Sequence, residues 1–203
     1  AAALTFVLGF PFAFAISQSP KSVRSILLLM VVLPFWTSFL IRVYAWMGVI
    51  SNKGFLNQFL EFLNLSPIQI LDTPAAIVLG IAYSYLPFMI LPLYSALEKL
   101  DPRLVEAAYD LGARPLTVMT RIVIPQAKKG IMGGAFLVFI PAVGEFVIPE
   151  LLGGSHSLMI GKVLWNEFFQ NHDWPIASAI AVVLLLILIG PIIWFQKLQI
   201  DRD

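Results

Sequence analysis

Two features of this 203-residue chain could do chemistry. The first is Glu145, within "FIPAVGEFVIPELL", the most apolar setting of any acid in the sequence. A carboxylate in such a place is costly to leave charged, so it is a functional candidate by default, with Glu150 a turn or so further on. It could meet a ligand, or a base could neutralise it. Arg42 is the only basic residue inside an apolar stretch. It lies 16 residues beyond Ile26, where its stretch begins, and Glu145 lies 15 beyond Gly130. At the helical rise both charges sit about 22–24 Å along their helices. An Arg42–Glu145 ion pair that shapes the bundle therefore competes with ligand contact and with exposure at an outer mouth. The second feature is "EAAYDLGARPLTVMTRIVIP", residues 106–125, polar and helix-like between two apolar stretches. There is no cysteine, which excludes disulfides, thiolate metal sites and a cysteine nucleophile. His156 and His172 have no spaced partners, so no metal is expected.

The elements that must position these residues are membrane helices. Hydrophobic residues make up 59% of the chain and charged ones 12%, where a soluble domain carries about a quarter charged. The excess exceeds what a core needs and reads as lipid contact, in a single all-α membrane domain over residues 1–203. Five stretches are expected to cross: the opening "AAALTFVLGFPFAFAIS", then roughly 26–50, 74–96, 130–150 and 176–196. The opening stretch has no Met and no basic flank, so it reads as a helix beginning at or before residue 1 rather than as a signal peptide. Each stretch contains proline (Pro11, Pro34, Pro87 with Pro92, Pro141, Pro191), which predicts kinks and gaps in the bundle. Gly130, Gly133 and Gly134 predict close helix contact.

Orientation follows from Lys and Arg. Ten lie on one side: Lys21, Arg24, Lys99, Arg103, Arg114, Arg121, Lys128, Lys129, Lys197 and Arg202. The other side holds Lys53 and Lys162. Segment 97–129 and the C-terminus are therefore expected to be cytoplasmic, and 51–73 and 151–175 to be loops on the outer side. Trp46, Trp165 and Trp174 fall near the outer interface and Trp194 near the inner one. In "KGFLNQFLEFLNL", Phe55, Phe59 and Phe62 share a helical face, which suits a short amphipathic helix in the interface or on the outer bundle.

The polar insert reads as two short helices around a sharp turn. Asp101 is an N-cap and Pro102 a first helical residue. Gly112 is placed as a C-terminal stop, Pro115 opens the second helix and Pro125 ends it. Leu104, Ala107, Ala108 and Leu111 share a face, and the two alanines let another backbone approach closely.

This insert resembles the EAA motif of ABC importer permeases. Glu106-Ala107-Ala108 is followed after three residues by Gly112, and after nine more by Ile122-Val123-Ile124-Pro125, with Ile124 where the motif has Leu. "LPFWTSFLIRVYAWMG", "LPFMILPLYSALEKLD", "FIPAVGEFVIPELLGG" and "MIGKVLWNEFFQNHDWP" resemble polyamine importer permeases of the putrescine/spermidine type, the last two nearer the putrescine type. The resemblance covers nearly the whole chain. It implies a six-span permease of which five spans are seen, the first being the one not seen. In that family the loop forms a coupling helix in a groove of the ATPase, which assigns Glu106, Ala107, Ala108, Gly112, Ile122 and Pro125 to coupling.

The resemblance further implies a heterodimer with a second permease, two ATPase subunits and a periplasmic binding protein. No G-x-x-x-x-G-K-[ST] pattern is present, so ATP is expected on the partner, with no cofactor and no covalent chemistry on this chain. The substrate would be a flexible polycation, which gains from carboxylates and aromatic faces. Glu145, Glu150, Tyr44, Trp46, Tyr83 and Tyr85 are the candidate path residues. A permease for another solute, of iron or phosphonate type, would carry the same EAA loop. A secondary transporter would usually show repeated halves, and an intramembrane enzyme would need a paired catalytic set.

Overall fold

The computed structural model describes residues 1–154 and 157–200, without the side chains of 194–196 and 198–200. His156, Arg202 and the Trp194 side chain lie outside the described residues. Every regular element among the described residues is helical: α1 (Ala2–Gln18), α2 (Lys21–Val32), α3 (Phe39–Ile50), α4 (Phe55–Phe62), α5 (Pro74–Leu97), α6 (Pro102–Asp110), α7 (Pro115–Val118), α8 (Ile124–Gln126), α9 (Lys128–Val143), α10 (Val147–Leu152), α11 (Ile160–Trp165) and α12 (Trp174–Ile200). Helices satisfy their own backbone, which lipid cannot do. The chain forms two compact units, Ala1–Thr37 with Ala82–Val138, and Ser38–Ile81 with Phe139–Asp203.

In the first unit, Met89, Ile90, Leu93 and Leu97 of α5 form the core with Ala13 and Ile16 of α1 and with Ala108, Val118, Val123 and Ala127. Glycines allow the closest approaches. A Cβ on Gly9 would lie 3.1 Å from Met89 Cγ, one on Gly130 would lie 2.6 Å from Ala96 Cβ, and one on Gly134 would lie 2.8 Å from Met89 Sδ. Two of the three glycines expected at a helix contact are thus at one. Gly133 is not, since a Cβ there would meet only Pro92 Cβ at 3.9 Å. Between α1 and α2, Ser19 is extended (φ −72, ψ 154), as a residue before proline prefers. Arg24 fastens this elbow: its Nε donates to the Ser19 carbonyl at 2.7 Å and its Nη1 to Glu98 Oε1 at 3.3 Å.

The five apolar stretches are all helical but differ in continuity, and the opening one is the shorter apolar helix Ala2–Gln18. Two helices, Pro74–Leu97 and Trp174–Ile193, are long and apolar enough to cross a membrane, and up to four spans result if each bent pair counts as one. The stretch 26–50 consists of α2, a 3-10 turn (Leu33–Trp36) and α3, with Thr37 and Ser38 between them. Pro34 removes a backbone donor, and Thr37 Oγ1 donates to the Pro34 carbonyl at 2.7 Å, which closes a turn instead of continuing the helix. Pro11, Pro87, Pro92, Pro141 and Pro191, by contrast, lie inside continuous helices. The stretch 130–150 breaks at residues 144–146.

In the second unit, α12 is apolar all round and scarcely buried, with 6% of its most apolar window enclosed. Such a helix suits lipid. Segment 51–73 contains α4 as the periodicity predicts, with Phe55, Phe59 and Phe62 exposed. Buried Asn57 holds the segment together. Its Nδ2 donates to the carbonyls of Ser51, Asn52 and Ile68, and its Oδ1 accepts the Ile68 N–H at 2.8 Å. Segment 151–175, expected as a loop, contains α11 and a π-helical turn, Asn166–Gln170.

Candidate functional sites

The 101–126 segment folds from its caps inward. Asp101 Oδ1 accepts the Arg103 N–H at 3.0 Å, and Pro102 takes the first helical position of α6, where its missing donor costs nothing. At the other end the Gly112 N–H bonds to the Tyr109 carbonyl at 2.8 Å and the Ala113 N–H to the Ala108 carbonyl at 3.0 Å. This is the two-bond Schellman closure, which needs a left-handed residue. Gly112 supplies it at φ +77, with open space where a Cβ would be. Pro115 then opens α7, as its fixed φ favours.

Of the four residues expected on one docking face, Ala108 is buried against the first unit, Leu104 is half exposed, Ala107 is exposed, and Leu111 is 88% exposed. The face is divided because Leu111 sits past the helix end, where the chain already turns. The protruding apolar groups are Leu111, Leu116 and Tyr109, around the Gly112 turn. Glu106 is exposed beside them. Ile122 is half-buried within a π-helical stretch, Met119–Val123, where the Ile124 N–H reaches back to the Met119 carbonyl. Pro125 does not end the helix. It sits in the first turn of α8, the run continues to Gln126, and the chain turns at Ala127. The wide turn just before it absorbs the lost donor, as π-bulges do.

Glu145 sits at the break between α9 and α10, and it is buried. Its Oε1 accepts the N–H of Val147 at 3.0 Å and of Ile148 at 3.3 Å. Pro149 has no N–H, and the Glu150 N–H bonds to the Phe146 carbonyl at 3.0 Å. All four first-turn positions of α10 are thereby satisfied, where a buried helix start would otherwise strand its donors. Glu145 was expected inside a continuous helix; it is the cap of a broken one. Gly161 of α11 lies on the break, and a Cβ there would come 2.7 Å from the Glu145 carbonyl oxygen. Arg42 is on α3, which packs against α10, and its guanidinium lies 5.7 Å from the Phe39 ring centre.

Glu150 is not an isolated acid. Its Oε2 lies 3.1 Å from Lys162 Nζ, with Lys162 largely buried. Phe146 stacks on Trp165 at 4.1 Å and 9°, and Trp165 meets Phe169 at 4.1 Å. Trp165, read from sequence as an interfacial belt residue, is the centre of this aromatic stack. Tyr44 and Trp46 belong to the same unit, on α3. Tyr83 and Tyr85 belong to the first unit, where Tyr85 stacks on Phe88 at 6.1 Å. The sequence did not reveal the stack, because Phe146 is distant in the chain from Trp165 and Phe169, and those two lie in the segment expected to be a loop. The run "WNEFF" was the available signal.

With this geometry described, comparison with known proteins decides the family. The family described as "Binding-protein-dependent transport system inner membrane component" matches residues 5–198. The chain belongs to this family. It is thus an inner-membrane permease component of a binding-protein-dependent system. The permease is 45% identical over 184 residues to the spermidine/putrescine transport system permease protein PotB of Escherichia coli K12, covering 90% of this chain and 67% of the relative. It is 44% identical to PotB of Haemophilus influenzae over 91% of this chain and 65% of the relative. The inner membrane ABC transporter permease YdcU of Escherichia coli is 31% identical over 90% and 62%. The chain spans about two thirds of the length of these relatives. A chain of the crystal structure of a bacterial alginate ABC transporter, in complex with alginate pentasaccharide-bound periplasmic protein, superposes with a TM-score of 0.72 at 18% identity, covering 100% of this chain and 76% of that one. A second alginate importer structure gives 0.63 at 22%, covering 97% and 75%. These two share the ABC-permease fold.

Proposed function

We propose that this chain is a translocation subunit of an ATP-driven polyamine importer that moves putrescine or spermidine. The observation that carries the substrate is the 45% identity to a spermidine/putrescine permease along 90% of the chain. In this reading the permease pairs with a second permease, two ATPase subunits and a periplasmic polyamine-binding protein. It performs no covalent chemistry, and ATP is bound by the ATPase. Segment 97–129 faces the cytoplasm, and 51–73 and 151–175 face the periplasm.

Coupling rests on α6 and α7. The protruding Leu111 and Leu116 supply apolar contact for an ATPase groove, Glu106 supplies charge, and the Gly112 closure holds the two helices at a fixed angle. Ala108 and the Ile122–Pro125 stretch root the pair on α5 and α9, so that a push on the turn reaches the spans.

The path reading centres on the second unit. Glu145 is a positioning residue that keeps the α9–α10 break open, whether or not Arg42 also balances its charge. Trp165 is covered by its two neighbours, so the outward ring faces of Phe146 and Phe169 are the ones that can offer cation–π contact, worth about 0.5–2 kcal/mol each, to an alkylammonium group. Several weak contacts in series suit a conducting path better than one tight site. Glu150, Tyr44, Trp46, Tyr83 and Tyr85 are secondary candidates.

The test is uptake of labelled putrescine by cells carrying the complete system, with competing solutes. Competition by spermidine and other linear polyamines, and none by iron chelates, phosphonates or oligosaccharides, is expected. Uptake indifferent to polyamines, or blocked by one of the unrelated solutes, contradicts the substrate assignment.

A further inference from the structure

We infer that the first unit carries a headgroup site for an anionic phospholipid where α5 leaves the membrane and α9 enters it. A cavity of about 360 Å³ lies there, with polar lining from Ser95, Lys99, Gln126 and Lys129 and apolar backing that includes Ala96 and Gly130. A single water needs about 10–15 Å³ of such space, so the cavity admits a group much larger than water. The site is a consequence of the helix crossing. Gly130 brings α9 against the Pro92 carbonyl and the Ala96 Cβ of α5, which puts Lys129 and Lys99 on one cavity.

Charge decides what the cavity takes. Of the acids beside Lys99 in sequence, Glu98 is in an ion pair with Arg24 at 3.3 Å, and Asp101 accepts the Arg103 N–H at 3.0 Å. Among the described residues neither Lys99 nor Lys129 is in an ion pair. The lining holds two cations with hydroxyl and amide donors beside them and no carboxylate, which leaves a local positive field. A phosphodiester neutralises it and accepts hydrogen bonds from Ser95, Gln126 and both ammonium groups. Pro92, Ala96, Leu100 and Gly130 line the cavity beside the two cations, and this apolar lining fits the glycerol and ester end of a lipid better than free phosphate. Basic pockets between membrane helices are a physical type of anionic-lipid site. The inference rests on the membrane reading of α5 and α9 but not on the substrate.

The test is native mass spectrometry of the complete purified transporter, with phosphatidylglycerol, phosphatidylcholine or inorganic phosphate added. The variants are Lys99→Gln with Lys129→Gln, and the control Lys128→Gln, which removes an adjacent exposed lysine outside the cavity. Thermal melting in zwitterionic detergent checks that each variant is folded. Wild type and Lys128→Gln are expected to retain phosphatidylglycerol over phosphatidylcholine. The double variant is expected to lose about tenfold or more in that retention, from two lysine–headgroup contacts. Equal retention by the double variant, equal loss by Lys128→Gln, or displacement of the lipid by inorganic phosphate at comparable concentration would each overturn the proposal. Polyamine uptake is not the readout, so this result stands or falls separately from the transport assignment.

Discussion

The permease interrupts its helices in two contrasting ways. At Gly112 the break is on the surface, and backbone bonds close it around a left-handed glycine. At residues 144–146 the break is partly enclosed around the buried Glu145, and its side-chain carboxylate closes it. Water can satisfy a frayed surface helix, so that break needs only the right φ. Water does not reach the buried Ile148 donor and the part-buried Val147 donor in the same way, so that break needs a specific acceptor. The surface break is therefore suited to presenting a closed turn to a docking partner. The buried one is suited to fixed geometry along a path.

Substitutions can break this comparison, and the largest effect is expected at the buried end. Glu145→Leu strands two donors and should destabilise the protein by about 2–4 kcal/mol. Glu145→Gln keeps an accepting oxygen and should cost about 1 kcal/mol. Thermal unfolding of the purified protein measures both, and equal losses would mean that Glu145 does not act as a cap. Adding Arg42→Gln to Glu145→Gln sharpens the point: recovery of stability would show that charge balance is the main role of the carboxylate, and no recovery would show that capping is.

Next comes Gly112→Val, which forces a β-branched residue to φ +77 at a cost of about 1–2 kcal/mol. Because no atom crowds the position, the cost is conformational, and Gly112→Asn should be milder. Uptake and co-purification of the ATPase should both fall in Gly112→Val and largely persist in Gly112→Asn. Asp101→Ala removes one cap bond from the same helix and should cost about 1 kcal/mol, with partial loss of uptake. Glu150→Gln is expected to be smallest, within about 1 kcal/mol, because its carboxylate is half exposed in its pair with Lys162. A large stability loss there would show that the pair, rather than the Glu145 cap, holds the second break.

The same contrast explains what was legible in the sequence. Capping chemistry is local, so Asp101, Pro102, Gly112 and Pro115 could each be placed from their neighbours. Pro125 could not, since a proline can sit in a helix's first turn when a wide turn precedes it. Span continuity was equally opaque. Proline alone does not break these helices, as Pro87 and Pro141 show, whereas Pro34 does so beside Thr37, whose hydroxyl captures its carbonyl. Glu145 read as an acid stranded in a span because the N–H groups it caps become free donors only once the helix has broken. The Phe146–Trp165–Phe169 stack depends on α11 folding back over that break, a long-range event that periodicity does not encode.

The central claim is that the Gly112 turn is the ATPase contact on the cytoplasmic side. The chain has no cysteine, so single cysteines report without background. The direct measurement is cross-linking from Leu111→Cys or Leu116→Cys in the assembled transporter, with Ser66→Cys as the opposite-side control. The first two are predicted to cross-link to the ATPase and to resist an impermeant thiol reagent added outside, while Ser66→Cys reacts with that reagent and does not cross-link. Labelling of Leu111→Cys from outside, with no ATPase adduct, would contradict the claim.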